Sequence, residues 1–426
     1  MARAAIDQPT STGDFSQIPM HAFIPTSWKS WPQDEEFRLQ FAHLVHALKD
    51  VGGTVAECHM ALGRIAPGNR EDWYREWKIQ AEASKARAEV AFDHGYYQTS
   101  ASSWLQASAY YRSAGVFLAV DDERNWALLS AVEKCSRLYM ACIKPDGELV
   151  EIPCEHNRSI RGYFLGAPNT PRRSPAVICF GGPGETKDEL LGKMPRFASA
   201  AGLSLMIVDL PGNSQGSLNG PPCCNPEVSI GRCVDYLMDR VDVDESRIAL
   251  FGNNFGAIHA SRVASLDHRF AAVVCDGGIW EENARPLLSS WAFGGRVGGT
   301  IHADTQEISR YSIARRLKCP FLVTSAEYEF LELEDVTRLH KFCVKAGAQM
   351  ELKLFSVEDA GPPRRRFIFD WLAKKLGVTY RQSRRMTRPL RLAEVRLPKR
   401  VFGHPTSQPR AKLPYAPSNS SLPEGK

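Results

Sequence analysis

The sequence lacks the features that would place it in several special classes of protein. No apolar run approaches the ~18 residues that a membrane-spanning helix needs. Residues 1–10 lack the apolar core of a secretory signal peptide. Neither a P-loop nor a Rossmann glycine fingerprint occurs, and no set of His, Cys and Asp residues has metal-ligand spacing. We therefore expect no membrane association, no metal and no cofactor.

The cysteines indicate a reducing compartment. The eleven cysteines are scattered without C-x-x-C spacing. Cys179, Cys275 and Cys319 lie in or beside apolar strands, so we interpret them as buried, reduced thiols and expect a cytoplasmic protein. The adjacent Cys223 and Cys224 could form a reactive pair, but two ordinary loop cysteines are the favoured interpretation.

Positive charge is concentrated in residues 377–426. The chain has a formal net charge of +5, but this segment holds eleven Lys and Arg against two acidic residues, which is +9 and leaves −4 for the rest. The segment is rich in Pro and Ser, which predicts a disordered tail. The tail could bind an acidic partner. We expect no nucleic-acid binding, because neither aromatic stacking residues nor a nucleic-acid-binding fold accompanies the charge.

The first third of the chain has a helical pattern. Residues 1–31 show little periodicity and are predicted to be a disordered leader. Over residues 32–146, apolar residues recur at helical spacing. Asn69 is predicted to cap a helix that ends near Gly95, and further long helices are predicted to follow it. We expect an all-helical N-terminal domain that covers or lines the ligand cleft of the next domain.

At about Gly147 the pattern changes to strands. Residues 149–153 and 161–165 are predicted to form an antiparallel pair. Further buried strands, with helical segments between them, are predicted at 176–180, 203–208, 248–251, 271–275 and 320–324. This alternation indicates an α/β domain with a doubly wound, mostly parallel sheet over residues 147–376. Ligands of such sheets bind beyond the carboxyl ends of the strands, and we call this space the cleft.

One predicted strand runs into a turn with the layout of a nucleophile elbow. The apolar residues 248–251 are followed by Gly252-Asn-Asn-Phe-Gly256 and a small-residue helix start, as in G-x-S-x-G. The two glycines permit a sharp turn that presents the middle side chain above the helix N-terminus. That residue is Asn254, whose neutral carboxamide has no acidic proton for a base to remove. The elbow is therefore predicted without a nucleophile.

With these residues placed, the chain resembles a branch of the α/β-hydrolase superfamily. This branch includes 2,6-dihydroxypseudooxynicotine hydrolase, the fermentation–respiration switch proteins and fungal hydrolases that shorten pigment polyketides. The likeness covers about residues 34–376. It rests on Trp73 and Trp77 in the helical part, on Gly181-Gly-Pro-Gly-Glu-Thr-Lys-Asp-Glu189, and on the elbow. It implies the α/β-hydrolase fold, although a fold does not fix a function.

The resemblance also implies positions for a Ser-His-Asp triad, and this chain departs from the pattern at each of them. The nucleophile maps to Asn254. The acid should follow strand 320–324, where Tyr328 stands between Glu327 and Glu329. The histidine should precede the last helix, where Ala360 stands.

The oxyanion hole is altered as well. One N–H would come from Phe255, and the other from the position of Pro183, which has no N–H to donate. Since base and nucleophile act as a unit, we expect that the ancestral acyl-transfer mechanism is lost.

Other residues are candidates for contacting a ligand. Asn254 could hold a substrate oxygen through its amide, or merely satisfy backbone groups. Asp276, with Glu281 nearby, could act as a base, because desolvation raises the pKa of a carboxylate; a turn-capping role is an equal alternative. Gly181 and Gly182 would let a ligand approach the backbone closely.

The leading interpretation is a small-molecule site that does not form an acyl-enzyme. The chain would be a cyclase, lyase or isomerase type of enzyme, or a binder, that acts on a small aromatic or polyketide-like metabolite in secondary metabolism. One alternative is a true ester or C–C bond hydrolase with a rearranged triad. The other is a non-catalytic pseudohydrolase scaffold. Whether the chain is an enzyme and whether it forms a homodimer stay open.

Overall fold

A computed structural model describes most of the predicted helical and α/β regions. The described residues are 34–119, 121–154, 159–168, 173–182, 185–210, 226–278, 310–326, 333–345, 347–356 and 359–378. The predicted leader and residues 379–426 of the basic tail lie outside them. The described residues all belong to one compact unit.

The N-terminal part consists of helices that pack around aromatic side chains. These helices are α1 (Glu35–Val51), α2 (Val55–Leu62), α3 (Arg70–Asp93), α4 (Tyr97–Gly115) and α5 (Glu123–Cys142). The Asn69 side chain caps α3. It accepts hydrogen bonds from the backbone N–H groups of Glu71 and Asp72, each at 3.0 Å. Trp73 and Trp77 are buried one turn apart, and Trp77 stacks on Tyr110 of α4. The predicted helix and its cap are confirmed.

An eight-stranded sheet follows, in which most neighbours are parallel. Its strands are β1 (Glu148–Pro153), β2 (Ser159–Leu165), β3 (Ser174–Phe180), β4 (Ser204–Val208), β5 (Val243–Asn253), β6 (Ala272–Asp276), β7 (Phe321–Ala326) and β8 (Met350–Phe355). Their order is β1-β2-β4-β3-β5-β6-β7-β8. β2 is antiparallel to both of its neighbours, and the other pairs are parallel. The predicted fold class and the antiparallel first pair are confirmed.

The strand that the sequence analysis missed is β8, at the edge of the sheet. Strands β3, β4, β6 and β7 are buried at every residue, as expected of a parallel sheet covered on both faces. In β8 only Met350 and Phe355 are buried. An edge strand with so few buried residues lacks the continuous apolar run by which the other strands were predicted.

Helices cover both faces of the sheet. They are α6 (Lys187–Lys193), α7 (Pro195–Ala201), α8 (Pro226–Met238), α9 (Gly256–Leu266), α10 (Arg310–Arg316), α11 (Leu333–Lys345) and α12 (Pro362–Lys375). Successive residues of β5 point to opposite faces. Phe251 joins a core with Phe369 of α12 that continues into the N-terminal helices. Leu250 joins a second core with Leu237 of α8.

Buried polar contacts join the N-terminal helices to the sheet. The Asp188 carboxylate of α6 accepts hydrogen bonds of 2.6 Å from the hydroxyls of Ser136 on α5 and Tyr163 on β2. Lys187 pairs with the other Asp188 oxygen at 2.9 Å. Burial opposes the ionisation of Asp188, but the Lys187 charge and the three hydrogen bonds prevail and lower its pKa. Asp188 therefore connects α5, α6 and β2 as an ionised group.

Cysteine chemistry differs in one respect from the expectation. Cys179, Cys275 and Cys319 are free, as predicted. Cys154, at the end of β1, is in a disulfide, which the interpretation of the cysteines as reduced thiols does not include. Cys223 and Cys224 lie outside the described residues. Among the described helices, none is both long and apolar enough to cross a bilayer.

Candidate functional site

The elbow forms at the carboxyl end of β5. β5 ends at Asn253, and α9 begins at Gly256, so Asn254 lies at the apex of the turn between them. Asn254 has a φ of +48°, a left-handed conformation that non-glycine residues rarely adopt. Its side chain is exposed, whereas Asn253 and Phe255 are buried. The structure therefore presents the Asn254 carboxamide where the sequence predicted it.

Gly181 and Gly182 follow β3 and lie beside the elbow. A Cβ atom at Gly182 would come within 2.2 Å of the Phe255 Cβ atom. A Cβ atom at Gly181 would come within 2.7 Å of a Glu185 carboxylate oxygen. The packing of protein groups therefore already requires both glycines. The approach of a ligand to them stays a prediction.

Glu185 brings a carboxylate to the elbow, which the sequence analysis did not predict. The Asn253 amide donates to both carboxylate oxygens, at 2.9 and 2.7 Å. The Asn254 amide nitrogen lies 3.5 Å from Oε2. Lys193 of α6 pairs with Oε1 at 2.9 Å. The carboxylate thus lies between the apex of the elbow and a buried lysine.

A second carboxylate shares that lysine. Glu189 lies 2.5 Å from the Lys193 ammonium group and 2.8 Å from the Arg112 guanidinium group of α4. Burial opposes the ionisation of Glu189, but the Lys193 and Arg112 charges outweigh it and lower its pKa. Burial would lower the pKa of Lys193, yet Glu185 and Glu189 raise it. We call Glu185, Glu189, Lys193 and Arg112 the elbow charge cluster; its formal charges sum to zero.

Two histidines of α1 lie within electrostatic range of the elbow charge cluster. Desolvation is the main cause of a lowered pKa at His43, where Glu189 opposes it and Lys193 adds to it. His43 as a residue is nevertheless exposed. Burial, with the charges of Lys193 and Arg365, lowers the pKa of His46 to about 3. Both imidazoles are therefore neutral near pH 7.

Asp276, the predicted base, ends β6 next to the elbow. Its register partner on β5 is Asn253. Its side chain is only 2% exposed and pairs with the buried Arg364 of α12 at 2.9 Å. The Thr324 hydroxyl of β7 donates to the same oxygen at 2.7 Å. The geometry explains a structural role for Asp276. A role as a base would require this ion pair to separate, so the catalytic role of Asp276 stays a prediction.

The other predicted positions lie apart or cannot be described. Ala360, at the expected histidine position, lies in the turn before α12 and is partly exposed. Tyr328, Pro183 and Glu281 lie outside the described residues. Within those residues, no cluster of three or more His, Cys, Asp and Glu side chains could hold a metal ion.

The arrangement at the elbow supplies hydrogen-bonding groups and proton acceptors. Asn254 offers an amide that can donate and accept, and Glu185 offers acceptor oxygens. The spacing of Glu189 and Lys193, four residues apart on one helix face, was the sequence signal for the elbow charge cluster. The sequence analysis assigned only the glycines of this segment to the site and did not predict the elbow charge cluster.

Comparison with known proteins identifies relatives over much of the chain. The family described as "Esterase FrsA-like" matches residues 64–285, more than half of the chain. The 20-hydroxy-prefusarin hydrolase FUS2 of Gibberella moniliformis is 29% identical over 287 residues, 62% of this chain and 66% of FUS2. The hydrolyase poxO of Penicillium oxalicum is 27% identical over 274 residues, 61% and 63% of the two chains. The chain thus spans just under two thirds of the length of these relatives.

Solved structures show the same fold at lower sequence identity. The 2,6-dihydroxy-pseudo-oxynicotine hydrolase superimposes with a TM-score of 0.65 at 18% identity, over 78% of this chain and 95% of its own. AbyA5 superimposes with a TM-score of 0.57 at 14% identity, over 80% of this chain. These similarities establish the α/β-hydrolase fold. Together with the sequence match, they show that the chain belongs to the FrsA-like esterase family.

Proposed function

We propose that this protein acts on or binds a small aromatic or polyketide-like metabolite without forming an acyl-enzyme. The observation that carries the proposal is the carboxamide of Asn254 at the apex of the elbow. A carboxamide has no acidic proton and cannot serve as the serine of an acyl-transfer mechanism. The elbow backbone still presents this group to the cleft, so the cleft keeps a polar contact for a ligand.

If the protein is an enzyme, the reaction would be a cyclisation, lyase reaction or isomerisation. Such reactions can proceed by positioning the substrate and moving a proton, without a nucleophile. Asn254 would position the substrate. The proton would move to a carboxylate, either Asp276, as the sequence suggests, or Glu185, whose Oε2 lies 3.5 Å from the Asn254 amide nitrogen. The name of the relative FUS2 supports a metabolite of this general kind and a role in secondary metabolism.

Hydrolysis of 4-nitrophenyl acetate and 4-nitrophenyl butyrate tests the proposal. The wild type and Asn254→Ala should both show no turnover above the uncatalysed blank. A variant that combines Asn254→Ser with Ala360→His provides a positive comparison, because it restores a nucleophile and a base at the positions that the family pattern implies. A gain of turnover in this variant alone would support both assigned positions.

Turnover by the wild type that disappears in Asn254→Ala would overturn the proposal. It would instead indicate a hydrolytic mechanism centred on the elbow. Turnover that survives the substitution would mean that the nucleophile lies elsewhere in the chain.

A true hydrolase is the second candidate, because several relatives, FUS2 among them, are named as hydrolases. Its acid would be Glu327 or Glu329, and its histidine would come from a distant part of the sequence. Both glutamates lie outside the described residues. Loss of esterase turnover in a Glu327→Gln or Glu329→Gln variant would favour this candidate.

The proposed partners follow from the same sequence features. The ligand of the cleft would be a small-molecule metabolite, and the basic tail would bind an acidic partner if the protein is a scaffold. Deletion of residues 380–426 separates these roles. Loss of partner binding with unchanged ligand binding would favour the scaffold, and a homodimer would appear as a doubled mass in light scattering.

A further inference from the structure

The Glu185 carboxylate has one oxygen with capacity for a further strong hydrogen bond. Oε1 accepts from Asn253 and Lys193 at 2.9 Å each. Oε2 accepts from Asn253 at 2.7 Å, but its second contact, to the Asn254 amide nitrogen, measures 3.5 Å. A carboxylate oxygen can accept two hydrogen bonds, and 3.5 Å lies at the limit of one. The weakly satisfied position of Oε2 therefore faces Asn254, the exposed residue of the elbow.

We propose that Glu185 Oε2 is the anchor of the cleft and that it binds a phenolic or enolic hydroxyl group of the ligand. An ionised carboxylate accepts hydrogen bonds and donates none, so a ligand hydroxyl is its natural complement. A ligand carbonyl or carboxylate oxygen at the same place would face another oxygen and be repelled. This inference rests on the proposed function, since it specifies which aromatic metabolites the cleft accepts.

The charge balance favours a neutral donor over a cation. Within the elbow charge cluster, Lys193 and Arg112 neutralise Glu185 and Glu189. The Glu185 and Lys193 side chains are only 10% and 8% exposed, so an additional ammonium group would be desolvated there without an unpaired negative charge to offset the cost. A hydroxyl group carries no charge to desolvate and still gains a charge-assisted hydrogen bond.

Asn254 completes the site beside this oxygen. Its backbone conformation and its place between β5 and α9 fix the direction of its Cα–Cβ bond. When a ligand hydroxyl replaces the long contact to Oε2, the Asn254 amide becomes available to the ligand. The ligand oxygen would then donate to Glu185 and accept from Asn254, which a methyl ether or a carboxylate cannot do.

Three naphthalene probes of similar size test the inference: 2-naphthol, 2-methoxynaphthalene and 2-naphthoate. Affinities for the full chain are measured by equilibrium dialysis at pH 7. The wild type should bind 2-naphthol at least tenfold more tightly than 2-methoxynaphthalene, because a hydrogen bond to a charged group is worth about that factor. 2-Naphthoate should bind most weakly.

Glu185→Gln supplies the matched variant. The carboxamide keeps the size of the side chain and can donate, so the preference for 2-naphthol should fall to about threefold or less and 2-naphthoate should gain affinity. Glu151 is exposed on β1 and does not belong to the elbow charge cluster. Glu151→Gln therefore removes a carboxylate outside the proposed site and should leave all three affinities unchanged. Circular dichroism confirms that both variants are folded.

The outcomes separate this inference from the proposed function. Equal affinity of the wild type for all three probes, or an unchanged preference in Glu185→Gln, would overturn the role of Glu185 and leave the aromatic site standing. No binding of any probe up to its solubility limit would overturn the proposed function, and this inference with it.

Discussion

Two buried carboxylates flank the elbow, and they differ in how they are neutralised. Asp276 ends a central strand, is 2% exposed and pairs with Arg364, which is itself 7% exposed. Glu185 lies in a loop, is 10% exposed and shares Lys193 with Glu189. Asp276 therefore lies in a deeply buried ion pair, while Glu185 belongs to a cluster in which one lysine contacts two acids.

This difference separates a structural carboxylate from one that can serve a ligand. Removing one partner of an isolated buried pair leaves an uncompensated charge. Removing Glu185 from the elbow charge cluster leaves Lys193 paired with Glu189. A carboxylate that exchanges contacts with a ligand should resemble Glu185 and not Asp276. Mutation of each residue tests this difference.

The largest expected effect is on stability. Asp276→Ala removes the acid that pairs with the buried Arg364 guanidinium and should lower the free energy of unfolding by about 3–5 kcal/mol. Glu185→Ala should lower it by only about 1–3 kcal/mol, because Lys193 keeps Glu189. Urea denaturation followed by circular dichroism measures both. Equal losses would show that the two carboxylates play the same structural role.

Replacing both members of the Asp276–Arg364 pair gives a second test of the comparison between Asp276 and Glu185. Combining Asp276→Ala with Arg364→Met removes both charges and should recover about 2 kcal/mol relative to Asp276→Ala alone, since an apolar side chain avoids the buried charge. The measurement is again the urea midpoint at constant slope. If the double variant is less stable than either single variant, the ion pair does not account for the burial of Asp276.

Acid should destabilise the α1 side of the elbow. The pKa of His46 is about 3 in the folded protein, against an ordinary 6.5. Between about pH 6.5 and pH 3, His46 is therefore protonated in the unfolded chain but neutral in the folded chain. The contribution of His46 to stability is complete above pH 6.5 and is lost as the pH falls toward 3, by up to about 1.4 kcal/mol per pH unit.

His46→Gln should reduce this dependence between pH 7 and pH 5, a range above the titration of ordinary carboxylates. Urea denaturation at several pH values gives the slope. A slope identical to that of the wild type would show that His46 becomes protonated without unfolding.

The smallest effect concerns the backbone of the elbow. Asn254 adopts a φ of +48°, which glycine adopts without steric cost. Asn254→Gly should therefore raise the free energy of unfolding by about 0.5 kcal/mol, and Asn254→Ala should lower it by a similar amount. Differential scanning calorimetry measures the shifts in Tm. A loss of stability in Asn254→Gly would mean that the contact with Glu185 outweighs the backbone strain.

The sequence predicted what depends on local pattern. The run of apolar residues that ends at Gly252 was enough to predict β5 and the elbow, because strand, glycines and helix start are adjacent along the chain. The edge strand β8 was missed, since its alternation includes only two buried residues. The Arg364 partner of Asp276 was also missed, because it comes from a helix distant in sequence that only tertiary packing brings close.

Asp188 has a consequence for how a ligand reaches the cleft. Its carboxylate is hydrogen-bonded to both Ser136 of the N-terminal helices and Tyr163 of the sheet. A hinge opening between these parts would break the hydrogen bond from Ser136 to this carboxylate, worth about 1.5–3 kcal/mol for a charged acceptor, and would expose the core that the two parts share. We therefore expect the N-terminal helices to act as a fixed wall and not as a moving lid. We expect ligand association to show a single kinetic phase, with selection by the shape of a permanent aperture.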